Sequence, residues 1–231
     1  MTSHRISPRP CNRGSPDLTI SSGGVTYHFL APGDFATIYD VPASLTGSGT
    51  TIGIVAEART DVADFTNFKS LTGSTFGNPT EVVPTAYGGI DPGPAYTSQS
   101  CGSCALADVQ AEATLDVVRA GSVAPGATLL SVVASSGSGG IGDDAQYIVQ
   151  STPVPAQVMT ISFGFCELEV GSAGVDFWTV CLSRLPARES LSLSPQVTPP
   201  LRGAIPPSQL RRRAPTQTAR ITFALQATPP A

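Results

Sequence analysis

The chain reads as an α/β protein with a parallel sheet and helices on both faces. Two observations predict this. Short β-branched runs alternate with stretches of helical period between residues 50 and 182, and strand–helix alternation at that spacing calls for parallel pairing. The chain has 231 residues, 41% of them hydrophobic, enough to bury a core. Charged residues make up 13%, about half the roughly 25% usual for soluble domains.

The elements follow in order. Residues 1–24 are polar and rich in Gly, Ser and Pro, with no period of 2 or 3.6, and are expected to form a flexible leader. Order begins near Val25. The run Thr50-Thr-Ile-Gly-Ile-Val-Ala56 has the composition of a buried parallel strand. Val62, Phe65 and Phe68 fall at helical spacing within Asp61–Leu71, with Asp61 as N-cap and Gly73 as stop. After a Gly/Pro/Ser loop, Thr85–Ser103, the stripe Leu106, Val109, Ala113, Val117 predicts an amphipathic helix over Cys104–Ala120, ended by Gly121. Strand Thr128–Ala134, helix Asp143–Gln150, strand Val158–Phe163 and a helix from about Gly171 to Leu182 complete the ordered part.

Beyond Leu182 the composition changes. From Arg184 to Ala231 there are seven Arg against one acid, Glu189, with nine Pro and a single aromatic, Phe223. Residues 1–183 hold six basic and 16 acidic residues. The domain reading is therefore a leader over 1–24, an α/β domain over 25–182 and a disordered basic tail over 183–231. No apolar run reaches the ~20 residues that span a bilayer, so no membrane partner is expected. The first 15 residues carry three Arg and no following apolar stretch, so no signal peptide is visible.

Glu112 and Asp116 are the candidate catalytic residues. Four apart on the predicted helix, their carboxylates project from one face. Two close carboxylates raise one pKa, and the raised acid suits a general base in acidic solution. Spacing alone is read more simply as two solvated acids on a helix face. The surrounding residues favour chemistry. Glu112-Ala-Thr-Leu-Asp116-Val-Val-Arg-Ala-Gly121-Ser-Val-Ala-Pro125-Gly-Ala127 resembles the signature helix of the sedolisins, the serine-carboxyl peptidases. His28-Phe-Leu-Ala-Pro-Gly-Asp34-Phe-Ala-Thr-Ile-Tyr39-Asp40 resembles the start of their mature domain, and Thr160-Ile-Ser-Phe-Gly164-Phe-Cys-Glu167 resembles a third block.

The resemblance implies a subtilisin-like fold and proteolysis by a Ser-Glu-Asp triad on polypeptide substrates, in an extracellular setting. Glu112 would be the base that takes the serine proton, and Asp116 would orient it. The resemblance also implies an oxyanion-stabilising Asp, a serine in a Gly-Thr-Ser block and a C-terminal Ca²⁺ site. None of these has a counterpart after Leu182. The expectation is an incomplete domain, inactive as this chain and without a bound cofactor. The alternative is a non-catalytic α/β module that binds a peptide or protein.

The tail itself suggests why. One plausible codon set for Glu189–Thr198, read from the last base of each preceding codon, permits Gly-Ile-Ser-Val-Ser-Val-Ser-Ser-Gly-Asp. That resembles the family's strand into its oxyanion Asp. Continuing through Gly203 and Ala204 permits Gly-Cys, with which Cys166 would pair by resemblance. A one-base frameshift between about Trp178 and Arg188 is the reading.

Three weaker motifs remain. Gly137-Ser-Gly139-Gly-Ile-Gly142 has a dinucleotide-turn pattern but lacks an acid about 20 residues on at a second strand end, so a plain turn or cleft loop is expected. Cys101-Gly-Ser-Cys104 has no second C-x-x-C, and His4 and His28 are distant. It reads as a local disulfide or two thiols, and no metal is expected. Arg211-Arg212-Arg213 has no interleaved aromatics, so no nucleic-acid partner is expected. Glu167, Glu169 and Asp176 read as surface or rim acids, and Trp178 as core.

Overall fold

The computed structural model describes residues 17–96, 105–136, 139–164 and 167–183. It divides into two compact units, one up to Pro42 and one from Ala43 onward.

In the first unit, β1 (Leu18–Ser22) and β2 (Val25–Phe29) form an antiparallel hairpin. A two-residue Gly23-Gly24 turn joins them, with φ of 58° and 78°, as tight hairpins require. Residues 17–24 are therefore a strand and a turn, where composition suggested leader, and a boundary at residue 24 cuts through the hairpin. Leu18, Ile20, Val25, Tyr27 and Phe29 share one face; Thr19, Ser21, Thr26 and His28 share the other. The helix α1 (Pro32–Ile38) starts on a proline. There the Asp34 carboxylate accepts the Ala31 amide at 2.7 Å and the Asp17 amide at 3.0 Å.

The second unit holds β3 (Thr51–Ala56), α2 (Val62–Thr72), β4 (Thr80–Val82), α3 (Ala105–Val123), β5 (Thr128–Val133), α4 (Gly140–Gln150), β6 (Val158–Ile161) and α5 (Glu167–Ser183). The strands are all parallel, in the order β4-β5-β3-β6. The sheet is sandwiched, as the alternation predicts. Ile52 and Ile54 of β3 and Leu129 of β5 pack with Phe65 of α2 and Val117 and Val118 of α3. Val55, Leu130, Val132, Met159 and Ile161 face the other way, against Ile141, Ala145, Ile148 and Val149 of α4 and Cys181 of α5. Each buried Val, Leu, Ile, Met or Phe among them contributes roughly 1.5–3 kcal/mol relative to exposure.

The helix ends show which signals hold. Asp61 caps α2 by accepting the Ala63 amide at 2.9 Å, and Gly73 closes it in the left-handed conformation. Gly121 does not stop α3, which continues to Val123. Its glycine serves close packing, since a Cβ there would lie 2.5 Å from Cγ of Phe76. The α3 stripe includes Ala113 and Val117, both fully buried. Gln110, also buried, grips the backbone of Tyr96, accepting its amide at 2.7 Å and donating to its carbonyl at 2.9 Å. α4 starts three residues before Asp143, and α5 begins at Glu167, with a non-helical break at Gly171. The tail from Arg184, the Cys101/Cys104 pair, Cys11, Cys166 and the arginine triplet lie outside the described residues.

Candidate functional site

Glu112 and Asp116 stand where the sheet's carboxyl ends meet α3. Ala113, between them, packs on Ala56 and Val133, the last residues of β3 and β5. That contact fixes this turn of α3 at the C-terminal edge of the sheet, where open parallel sheets hold ligands. Both acids are partly buried. Ser162, directly after β6, donates its hydroxyl to Oδ1 of Asp116 at 2.6 Å across 46 residues of sequence. A bond that short to a carboxylate belongs to the strong, charge-assisted class.

The register explains how Ser162 comes to be there. Ile54 of β3 pairs with Thr160 of β6, so Thr160 shares the α3 side of the sheet, and Ser162, two residues on, does too. The residues Glu112–Ala127 and Thr160–Glu167, singled out separately in the sequence, are thus joined in space by Asp116 and Ser162. Sequence reasoning placed Glu112 and Asp116 and quoted Ser162 without giving it a partner.

A second group of acids lies where β3 and β5 end on the α4 side. Asp144 is fully buried, and neither carboxylate oxygen has a hydrogen-bond partner of ordinary geometry. Burial pushes its carboxyl up to about 9; the nearby amides of Ala134 and Ala56 offset part of this, while Asp143 and Glu57 add to it. Burial likewise raises Glu57 and Asp143 above their ordinary values. Glu57 and Asp143 line a cavity of about 290 Å³, together with Ser136, Val170, Phe177 and Trp178. Trp178 is a cavity wall as well as a packing residue, set edge-on to Phe177 at 5.2 Å between ring centroids. Gly139, Gly140 and Gly142 also line this cavity, so the glycine-rich turn borders a cleft; Gly137 and Ser138 lie outside the described residues. Glu169 and Asp176 are exposed, as expected of rim acids.

Away from the site, Arg59 bridges Glu81 at 3.1 Å and Asp91 at 2.9 Å, while Glu81 accepts the Thr60 amide and hydroxyl, each at 2.9 Å. This network ties the segment after β3 to β4. Among the described residues no three His, Cys, Asp or Glu are placed to hold a metal ion, and no helix is long and apolar enough to cross a membrane.

The fold and site define the class: an α/β protein with a parallel four-stranded sheet, helices on both faces, and paired acids at the sheet's carboxyl edge. No known family model matches the chain, and no curated protein does. Among solved structures it is similar to a Pseudomonas sedolisin, a serine-carboxyl proteinase complexed with two molecules of pseudo-iodotyrostatin. The identity is 24% and the TM-score 0.48, over 67% of this chain and 40% of that one. The chain thus spans well under half the length of that structure.

Proposed function

We propose that the chain is a portion of a serine-carboxyl peptidase domain, in which Glu112 is the general base and Asp116 its orienting partner. The observation that carries this is the 2.6 Å bond from Ser162 to Asp116. It joins two of the three sedolisin-like sequence blocks at the sheet edge where such a base would work. The substrate class on this reading is polypeptide, and the setting extracellular. The 231 residues supply no Gly-Thr-Ser nucleophile block and no Gly-Asp oxyanion block after Leu182. A base without a nucleophile cannot perform acyl transfer, so this chain alone is inactive, and the tail is out-of-frame translation.

The test is to sequence the gene from codon 170 to several hundred bases past the stop. One restored base should bring back Gly-Asp and then Gly-Thr-Ser in frame. The repaired protein should cleave a denatured protein substrate in acid, and Glu112→Gln should reduce that rate by at least ~10²-fold. An intact frame with no such blocks downstream would sink the proposal, as would a repaired enzyme indifferent to Glu112→Gln.

A further inference from the structure

We propose that the cavity between α4, α5 and the ends of β3 and β5 binds a small organic cation with a flat apolar body, such as an arylamidinium. This site lies on the face of the sheet opposite α3 and does not rest on the peptidase reading.

Four observations lead there. First, position: β3 and β5 are neighbours, but the chain leaves β3 toward α2 on one face and β5 toward α4 on the other. Connections that diverge in this way open a crevice at the strand ends, where α/β proteins place ligands. Second, the walls: Phe177, Trp178 and Val170 are apolar, and the two rings meet edge to face. An aromatic wall suits a planar cation through its π-face. Third, the charge: Glu57 and Asp143 both line the cavity and, among the described residues, no lysine or arginine does. Desolvation holds both carboxyls above their ordinary values, as burial does to a carboxylate. Behind them sits Asp144, wholly buried, coupled electrostatically to both and without a hydrogen-bond partner of ordinary geometry.

Fourth, access: a Cβ at Gly139 would come within 2.7 Å of Oδ2 of Asp143. Glycine there leaves the carboxylate open, in a backbone conformation (φ 97°) that other residues rarely adopt. The volume, about 290 Å³, falls just under the roughly 300–1,000 Å³ range of ligand sites. One ring with a cationic head is the appropriate size. Among the described residues no three His, Cys, Asp or Glu are grouped to hold a metal ion, so the occupant proposed is organic.

The chain contains a single tryptophan, Trp178, so its emission reports on this cavity without a label. The full chain is titrated with benzamidine and, separately, with benzamide, the neutral isostere. Benzamidine should change the emission saturably and bind at least ~10-fold tighter than benzamide, a difference of about 1.4 kcal/mol. The double variant Glu57→Gln/Asp143→Asn should lose at least that factor for benzamidine while keeping the circular dichroism spectrum of the parent. Equal affinity for the two probes would show an apolar pocket only and overturn the proposal. So would no saturable response to benzamidine, or a folded double variant that binds it undiminished. If the double variant does not fold, the probe pair on the unsubstituted chain decides the question.

Discussion

Replacing Asp144 by Asn should stabilise this protein in neutral solution and barely affect it in acid. The carboxyl is fully buried on α4 beneath the ends of β3 and β5, and burial lifts it from an ordinary 3.8 to about 9. At pH 7 the folded chain therefore holds a proton that the unfolded chain has released. The native state binds more protons than the unfolded state between about pH 4 and pH 9, so stability falls as pH rises through that window. The slope from one such group approaches about 1.4 kcal/mol per pH unit. Over the ~3 units from the ordinary value to pH 7, that amounts to about 4 kcal/mol; structural relaxation lowers it, so about 2–4 kcal/mol is expected. Asparagine matches the shape of the neutral acid and cannot ionise. Urea unfolding followed by Trp178 emission, at pH 5 and pH 8, measures the effect. The parent should lose stability between those values, and Asp144→Asn should lose about 2–4 kcal/mol less. Glu57 and Asp143 act in the same direction and keep some slope in the variant. Parallel profiles for parent and variant would refute the assignment of a buried neutral acid.

Two further outcomes follow from named contacts. Ser162→Ala removes the hydroxyl held 2.6 Å from Asp116 and should cost about 1–2 kcal/mol in urea unfolding; a cost within error of zero would mean the bond is not made in solution. Gly121→Ala ordinarily strengthens a helix by about 0.5–1 kcal/mol, yet here the new methyl would meet the Phe76 ring, so a loss of about 1–3 kcal/mol is expected. The sign alone decides that case, and a stabilised variant would show that α3 and Phe76 do not approach so closely.

What the sequence revealed and what it hid divide along local and non-local physics. β3 and β5 were legible because each is a short apolar run buried on both sides, β6 because Val158, Thr160 and Ile161 are β-branched, and α2 because Asp61 and Gly73 mark its ends with side-chain and backbone chemistry. β1 escaped because Ser21, Ser22, Gly23 and Gly24 carry the composition of a loop, and only pairing with β2 makes them a strand and turn. β4, three residues long, is too short to show a period. Gly121 looked like a stop because glycine often is one; its real role depends on Phe76, 45 positions away in sequence. The four-residue spacing of Glu112 and Asp116 put both on one helix face, but the hydroxyl that meets Asp116 could not be read from it. Ser162 reaches Asp116 only because β6 crosses over to lie beside β3.

The same tertiary logic explains why one sheet edge carries two acids in such different settings. Asp116 and Asp144 both sit on helices whose side chains approach the carboxyl ends of the strands, one from each face. On the α3 face a serine two residues along β6's register supplies a hydroxyl donor to Oδ1 of Asp116. On the α4 face the helix begins at a glycine turn and drives Asp144 under the sheet, where no side-chain donor among the described residues reaches it. Taking a carboxylate out of water favours its neutral form, and for Asp144 the nearby amides of Ala134 and Ala56 offset only part of that. Acidification therefore acts mainly through the α4 face: it protonates Asp144 in the unfolded chain as well, removes the folded state's disadvantage, and strengthens the core that α4 and α5 build against β3, β5 and β6. Glu57 and Asp143, raised in the same direction at the rim of that core, add to the effect. On these shifts the folded chain should be more stable in mild acid than at neutrality, for a reason that lies in its buried carboxyl groups and is separable from any catalytic use of Glu112 and Asp116.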